Sequence, residues 1–362
     1  MNLTLLCHSL VSDWNHGNAH FLRGVTRELG RAGHAIDVLE PTGGWSREHL
    51  RQDVGGEAEQ AFARAFPELS SRMYDPARFD ADACLAGADV VIVHDWVDPA
   101  VAHAIGERRA RRDDHRLLFY DAHHRAVTAP AEIEAFDLRH YDGVLAFGSV
   151  IRDAYLERGW ARRAWIWHEA ADTSVFAPQA FDGERKDLIW IGNWGDGERT
   201  DELHEFLLEP ARALGLSGSI RGVRYPSQAQ EAVERSGLRY SGWVANFNAP
   251  ALFARHRLTV HVPRRAYASA IPGVPTIRVF EALACGIPLI CAPWQDTEGL
   301  FRFGEDFRMA ANGEEMREQM RRLLDDPDLA AAQAERGLER IRERHTCAHR
   351  VQELLAIIEE VQ

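Results

Sequence analysis

Short, wholly apolar runs recur along this chain, each followed by a polar or glycine-bearing turn and then by a segment of helical periodicity. A strand that is apolar on both faces must be covered on both, which is the condition of a parallel sheet flanked by helices. LTLLC, Leu3 to Cys7, is the first such run. SDWNHGN follows as a loop, and Phe21, Leu22, Val25, Leu29 and Ala32 then recur at helical spacing. Gly33 ends that helix and AIDVLE supplies a second strand, completing a βαβ unit. The theme returns in DVVIVHDW (Asp89 to Trp96), a helix from Pro99 to about Arg111, RLLFYDAHHR (Arg116 to Arg125) and DGVLAFG (Asp142 to Gly148).

A second set of alternating elements begins near Asp187 with DLIWIGNWGDGE and continues through SIRGVRY, LRYSGWV, LTVHVPRR and PLICAPW. From about Glu314 the chain reads as helix to its end, interrupted between Asp325 and Asp328. The chain has 362 residues, too many for one ordinary core and suited to two domains. The expected fold is α/β: two doubly wound, Rossmann-like domains facing a cleft. The first spans residues 1–170, the second 171–345, and a closing helix, 346–362, packs back on the first. Ligands of such sheets bind beyond the carboxyl ends of the strands, so the polar residues ending each strand are the ones to weigh.

The formal net charge is −13, which repels phosphate backbones and leads to the expectation that nucleic acid is not a partner. The five cysteines are scattered, without a C-x-x-C pair, and fit a reducing compartment rather than a disulfide framework or zinc site. No charged leader opens the chain and no run approaches the length of a transmembrane segment, so a cytoplasmic protein is expected.

PTIRVFEALACGIPLICAPW, Pro275 to Trp294, carries the most chemistry. A proline precedes a helix whose first turn holds Thr276, Ile277 and Arg278. Helix amino ends offer unpaired amides and partial positive charge, and with a guanidinium they make a seat for a diphosphate. Glu281 lies one turn further in, where its carboxylate can accept from two neighbouring hydroxyls, as on a ribose. An ordinary amphipathic helix with a solvated Glu281 has the same periodicity.

This segment resembles the donor-site signature of retaining GT-B glycosyltransferases, and more narrowly those grouped with the spore-maturation protein CgeB. NHGNAHFLRGVTRELGRAGHAIDVLEP resembles the family's first loop and helix, WIWHEAADTSVFAP its connection to the donor lobe, and LRYSGWVANFNAPALFARHRLTVHVPRR its base-contacting loop, helix and strand. RHTCAHRVQELLAII resembles its closing helix. The resemblance implies a glycosyltransferase of the hexosyltransferase class. It would move a sugar from a nucleotide-diphosphate sugar, a UDP- or GDP-sugar, to an acceptor hydroxyl with retention, without metal or other cofactor. The implied donor-binding residues are Gly192, Asn193, Arg199, Trp243, Arg264, Arg265, Thr276, Ile277, Arg278 and Glu281, with Arg278 also catalytic through the departing diphosphate. Two departures stand out. Gly273 occupies the position of a second glutamate, eight residues before Glu281, and Asn193 stands where relatives carry an arginine, with Arg199 as a replacement for their lysine.

Polar clusters also end the strands of the first half: Asp13, Trp14, His16, Gly17 and Asn18; His94 and Asp95 with Trp96; and Asp121, His123, His124 and Arg125. They come from different strands and lack short metal-ligand spacing, so no metal site is expected. The resemblance implies a histidine near the donor sugar, either His123 or His124. Asp95 is either a base or partner for the acceptor hydroxyl or the cap of the helix beginning near Pro99. Asp13, Trp14, His16, Gly17, Asn18 and His94 are the acceptor-binding candidates. Two other readings share the fold: a sugar-nucleotide epimerase, which needs no acceptor, and a non-catalytic binding protein. A phosphorylase would need a lysine for its pyridoxal group, and Lys186, the only lysine, sits at the lobe boundary.

Overall fold

The computed structural model describes residues 1–195 and 197–361. The chain forms two compact units, Met1–Glu169 together with Cys347–Gln362, and Ala170–Thr346. In the first unit the described strands are β1 (Asn2–Leu6), β2 (Ala35–Pro41), β3 (Arg72–Tyr74), β4 (Val90–His94), β5 (Arg116–Asp121), β6 (Gly143–Ala146) and β7 (Ala164–Ile166). They pair in parallel in the order β3-β2-β1-β4-β5-β6-β7. The order reverses between β1 and β4, and the loops after those strands flank the crevice where such sheets take ligands.

The second unit repeats the plan with β8 (Lys186–Ile191), β9 (Gly218–Arg221), β10 (Arg239–Tyr240), β11 (His256–His261), β12 (Leu289–Cys291) and β13 (Arg308–Met309). These are also parallel, in the order β10-β9-β8-β11-β12-β13, with the switch between β8 and β11. Burial explains the apolar runs: β4 and β6 are buried along their whole length, and so are the last four residues of β8. The helix Ile277–Ala284 buries every residue but Arg278, which accounts for its apolar sequence apart from Arg278 and Glu281.

The structure departs from the sequence reading in several places. LRYSGWV contributes only two strand residues, because the chain turns at Gly242 with φ +67°. The terminal helical stretch is three helices, Gly313–Asp325, Pro327–Arg344 and Cys347–Glu360. Asp326 separates the first two and caps the second, accepting from Leu329 N at 2.9 Å. The helix Pro99–Arg112 is capped by Asp98, which accepts from Ala100 N at 2.8 Å, so the capping role considered for Asp95 belongs to its neighbour three residues on. The helices Trp45–Val54 and Glu57–Ala65, and β3 after them, had no counterpart in the sequence reading. Each of the two helices buries only two residues, so their apolar periodicity is faint.

Candidate active site

In the second unit the sequence candidates gather at the carboxyl ends of β8 and β11 and at the start of the helix Ile277–Ala284. Thr276 caps that helix in extended conformation without a side-chain cap bond, and its Oγ1 lies 3.4 Å from Nε2 of His261, the last residue of β11. Glu281 is completely buried, and its carboxylate is paired with the partly exposed Arg278 guanidinium one turn earlier. The side chains of His261, Arg199 and Arg278 are close enough to sense one another. Burial, then Arg199 and Arg278, push the His261 imidazole down to about 3, so it is neutral at physiological pH. His261 was not singled out from the sequence. Its signal is a polar residue ending an apolar strand, in LTVHVP, the pattern that marked the other candidates.

The remaining donor candidates are held more tightly than free ligands for phosphate would be. Arg199 is buried, and its guanidinium joins two loops, donating from Nη1 to Val262 O at 2.9 Å and from Nη2 to Asn193 O. Burial, followed by the charge of Arg264, pushes it down to about 10. Arg199, expected in place of a diphosphate-binding lysine, thus places one bond from each Nη on a backbone carbonyl, while its buried Nε has no partner. Arg264 and Arg265 also carry carboxylate partners, Glu198 at 3.1 Å for the first, and Asp201 at 2.9 Å with Glu202 for the second. They brace the loop after β8. The Gly192 carbonyl accepts from Tyr225 Oη at 2.8 Å, and Asn193 Oδ1 accepts from Val223 N at 3.0 Å. Gly222, with φ +153°, makes that approach feasible, since a Cβ there would lie 2.0 Å from the Gly192 oxygen. Trp243 is half-buried in the loop after β10, an edge strand separated from β11 by β9 and β8.

Gly273 gives the absence of a second glutamate a structural cause. Its φ is +91°, and a Cβ would meet Thr297 Oγ1 at 2.5 Å. Its amide donates to Gln295 O at 2.6 Å. The loop before the helix follows a path that a glutamate at this position would strain.

In the first unit the polar residues converge beyond β1, β4 and β5. Asp95 is fully buried, with Oδ2 accepting from Arg125 Nη2 at 2.8 Å. Burial alone would raise its pKa, but His94, Arg125 and His123 hold it below the ordinary carboxylate value. A carboxylate so enclosed and paired does not meet an acceptor hydroxyl directly, and the direct-base role considered for Asp95 is corrected to one of fixing Arg125. That guanidinium also lies over the exposed Trp96 ring, 4.1 Å from its centroid.

His94 is buried and neutral, its pKa lowered chiefly by burial. Its Nδ1 lies 3.2 Å from Trp96 N and 3.0 Å from Asp95 Oδ1, and its Nε2 lies 3.2 Å from Asn18 Oδ1. Asn18 Nδ2 in turn donates to Glu169 at 2.7 Å and Tyr120 Oη at 3.0 Å. His16 is buried against Ser9 O at 3.1 Å. His8, which the sequence reading passed over, packs its ring 5.0 Å from His16 and 5.9 Å from Trp96, and burial pushes it down to about 4. Asp13 pairs with Arg23 at 3.0 Å, and Trp14 is buried, donating to Asp53 and stacked on His49. Both serve to hold the loop around Gly17 rather than to face solvent.

The histidine doublet separates. His124 is buried, with Nδ1 2.6 Å from Thr128 Oγ1. His123 is half-buried, with its ring edge-on to Trp96 at 5.2 Å. Beneath them Asp121 accepts from His123 N at 2.9 Å and from Tyr155 Oη at 2.8 Å, and burial, then Asp95, raises its carboxyl to about 8. Among the described residues, no group of three or more His, Cys, Asp or Glu side chains is placed to hold a metal ion.

A family model described as glycosyl transferase-like matches residues 199–356, which include the helix Ile277–Ala284 and its surroundings. No curated protein matches the sequence. Among solved structures, an alpha-glucosyltransferase in complex with UDP and a 13-mer DNA is similar with a TM-score of 0.71 at 12% identity, over 99% of each chain. Sucrose-phosphate synthase from Thermosynechococcus elongatus gives 0.66 at 13% identity, over 100% of this chain and 99% of that one. A DNA-modifying beta-glucosyltransferase, solved in the presence and absence of uridine diphosphoglucose, gives 0.63 at 12% identity over all of both chains. The fold is therefore GT-B, two parallel-sheet Rossmann-like domains. The exclusion of nucleic acid does not stand, because enzymes of this fold are seen in complex with DNA and UDP. Net charge is a sum over the whole surface, whereas phosphate binding is decided by the local field at one face.

Proposed function

We propose that the chain is a glycosyltransferase that takes its sugar from a UDP- or GDP-sugar held at the start of the helix Ile277–Ala284. The family match and the GT-B structures support a glycosyltransferase enzyme. The observation that carries the donor assignment is the convergence of the helix amino end, Arg278, His261 and the buried Glu281, with Arg199 fixed beside them. Helix amides and Arg278 would hold the diphosphate and stabilise its departing charge. Glu281 would accept from the ribose hydroxyls. For that exchange Arg278 must leave Glu281 for the phosphates, so binding swaps one charge-assisted contact for two. Neutral His261 adds a polar group at the phosphate seat without competing for charge.

Acceptor binding is assigned to the first unit's cluster, with His123 rather than His124 beside the reacting sugar, because His123 is the more open and adjoins Trp96. Asp95 fixes Arg125 beneath Trp96, and protonated Asp121 fixes His123 through its amide. Transfer is proposed to retain anomeric configuration and to need no metal, and the CgeB-like grouping is proposed with it. These rest on the Pro275–Trp294 signature.

The test is thermal unfolding of the protein with UDP, GDP, UDP-glucose and GDP-mannose, repeated for Glu281→Ala and Arg278→Ala. A ligand at about 100 times its Kd stabilises by roughly 2.7 kcal/mol. One nucleotide family should raise the melting temperature of the parent and neither variant should respond. Equal shifts in parent and variants would remove the donor site from this helix. With the donor known, turnover against sugars, polyols and oligonucleotides, in EDTA and with anomer-resolved NMR of the product, tests acceptor class, metal independence and retention. Consumption of donor without acceptor would point to the epimerase.

A further inference from the structure

The second unit holds a cavity of about 530 Å³ that shares no residue with the donor site. Lys186 and His256, the first residues of β8 and β11, line one part of it, and Arg221 and Tyr240, the last residues of β9 and β10, another, so it runs along the strands rather than sitting at one end of the sheet. Arg221, Arg239 and Arg255 complete its charged lining, with Phe181 and Tyr240 as aromatic walls and Glu184 as the single carboxylate.

Its cations differ from several other arginines of this unit. Arg257, Arg264, Arg265 and Arg278 each sit within ion-pair distance of a carboxylate. Among the described residues none of Lys186, Arg221, Arg239 and Arg255 does. Arg255 lies only over the Phe181 ring, 5.6 Å from its centroid. Arg221 donates from Nη1 to Ser241 O, while its buried Nε has no partner. The cations repel one another: Arg221 is lowered by burial and then by Arg239, and His256 by burial and then, against its bond to Leu252 O, by Lys186, Arg221 and Arg255. In a chain of net charge −13, unneutralised basic residues gathered in one concavity mark a place where the missing negative charge comes from a ligand.

We infer that this cavity is a second anion site, which binds a small phosphorylated molecule with its phosphate on Arg221, Arg239 and Arg255 and its body against Tyr240 and Phe181. Arginine forks match phosphate oxygens bidentately, and Lys186 adds a point charge. Ser219 Oγ, already 3.1 Å from His256 Nε2, supplies a further hydroxyl. The volume exceeds that of a phosphate group several-fold and lies in the range of small-molecule sites. A regulator or a phosphorylated substrate fragment would both fit that chemistry.

The experiment is calorimetric titration of the full chain with inorganic pyrophosphate, with the donor site blocked by saturating UDP, and a parallel titration of Arg278→Ala without UDP. One equivalent should bind in both, and affinity should fall as sodium chloride is raised. Arg239→Gln, at an exposed position that leaves the core intact, should weaken binding by about tenfold or more. Arg221→Gln/Arg255→Gln, checked for folding by circular dichroism, should abolish it. Binding unchanged in both sets of variants, or no binding in either titration, would overturn the second site. Binding lost in Arg278→Ala but kept in Arg239→Gln would return the anion to the donor helix and overturn it equally.

Discussion

At the scale of single residues, the structure divides groups that look alike in sequence. His123 and His124 are adjacent, yet one is half-buried beside Trp96 and the other is buried against Thr128 at 2.6 Å. Replacing each by alanine should separate their roles. His123→Ala should lower turnover by roughly 10²–10⁴ with little change in melting temperature. His124→Ala should cost about 1–3 kcal/mol of stability through the buried ring and its bond to Thr128 that it removes, with a smaller loss of turnover in the folded fraction. The reverse pattern would exchange their assignments. Sequence reasoning reached the doublet but could not choose, because the direction of adjacent side chains in a loop is fixed by what packs beneath, here Asp121 and Tyr155. His261 carries a prediction of a different kind. Its folded pKa, about 3, lies below its unfolded value, so the unfolded chain binds the extra proton between about pH 6.5 and 3. Stability from this group is complete above that window and is lost as pH falls through it. At pH 5 the loss is about 2 kcal/mol. Thermal unfolding at pH 7 and pH 5 should therefore fall less steeply in His261→Gln than in the parent. Identical slopes would show that His261 is not buried as a neutral group. His8, held to about 4, adds a loss of the same sign in the first unit.

At the scale of elements, the strands and the helix Ile277–Ala284 were the legible part. An unbroken apolar run such as VVIV in β4 has few solutions other than a covered parallel strand, and a proline, an arginine and a glutamate in PTIRVFEALACG mark a helix start with chemistry on it. The illegible part lay in elements with little to bury, such as Trp45–Val54, and in the partners of charged side chains. No local pattern indicates that Arg264 and Arg265 are taken up by Glu198, Asp201 and Glu202, because those pairs form between the segments after β11 and after β8, which only the sheet brings together. Gly273 shows the same limit from the other side. In sequence it reads as a lost glutamate, whereas in the structure its φ of +91° sets the path of the chain into Thr276. Gly273→Ala should then destabilise the protein by roughly 1–3 kcal/mol, since a left-handed backbone and a contact with Thr297 are both made worse. It should also weaken nucleotide binding, by shifting the helix amino end. Unfolding with and without UDP measures both effects. A variant as stable as the parent would mean that the loop can re-form without glycine, and a glutamate could then be restored there.

At the scale of the whole molecule, the chain's order and its units do not coincide. Residues 347–362 follow the second unit in sequence but belong to the first. The helix Cys347–Glu360 packs on the helix Ala19–Arg31 and buries Val351, Leu354, Ile357 and Ile358. Its Arg350 carbonyl accepts from Trp167 Nε1 at 2.8 Å, and Trp167 in turn packs edge-on to Phe21 and Tyr120 in the first core. Four buried aliphatic side chains contribute on the order of 6–12 kcal/mol by transfer alone, an upper estimate. That is comparable to the entire stability of an ordinary domain. The second unit keeps its own sheet, core and the helix Ile277–Ala284 without this segment. Ending the chain at Thr346 should therefore act unequally. Hydrogen exchange should show protection lost across β1 to β7 and retained across β8 to β13, and UDP should still slow exchange around Thr276 to Glu281. Transfer activity should vanish, since the proposed acceptor cluster unfolds. Equal loss of protection in both units would mean that the second cannot hold its fold alone. Full protection in the first would mean that Trp167 and Phe21 find other cover when the closing helix is gone.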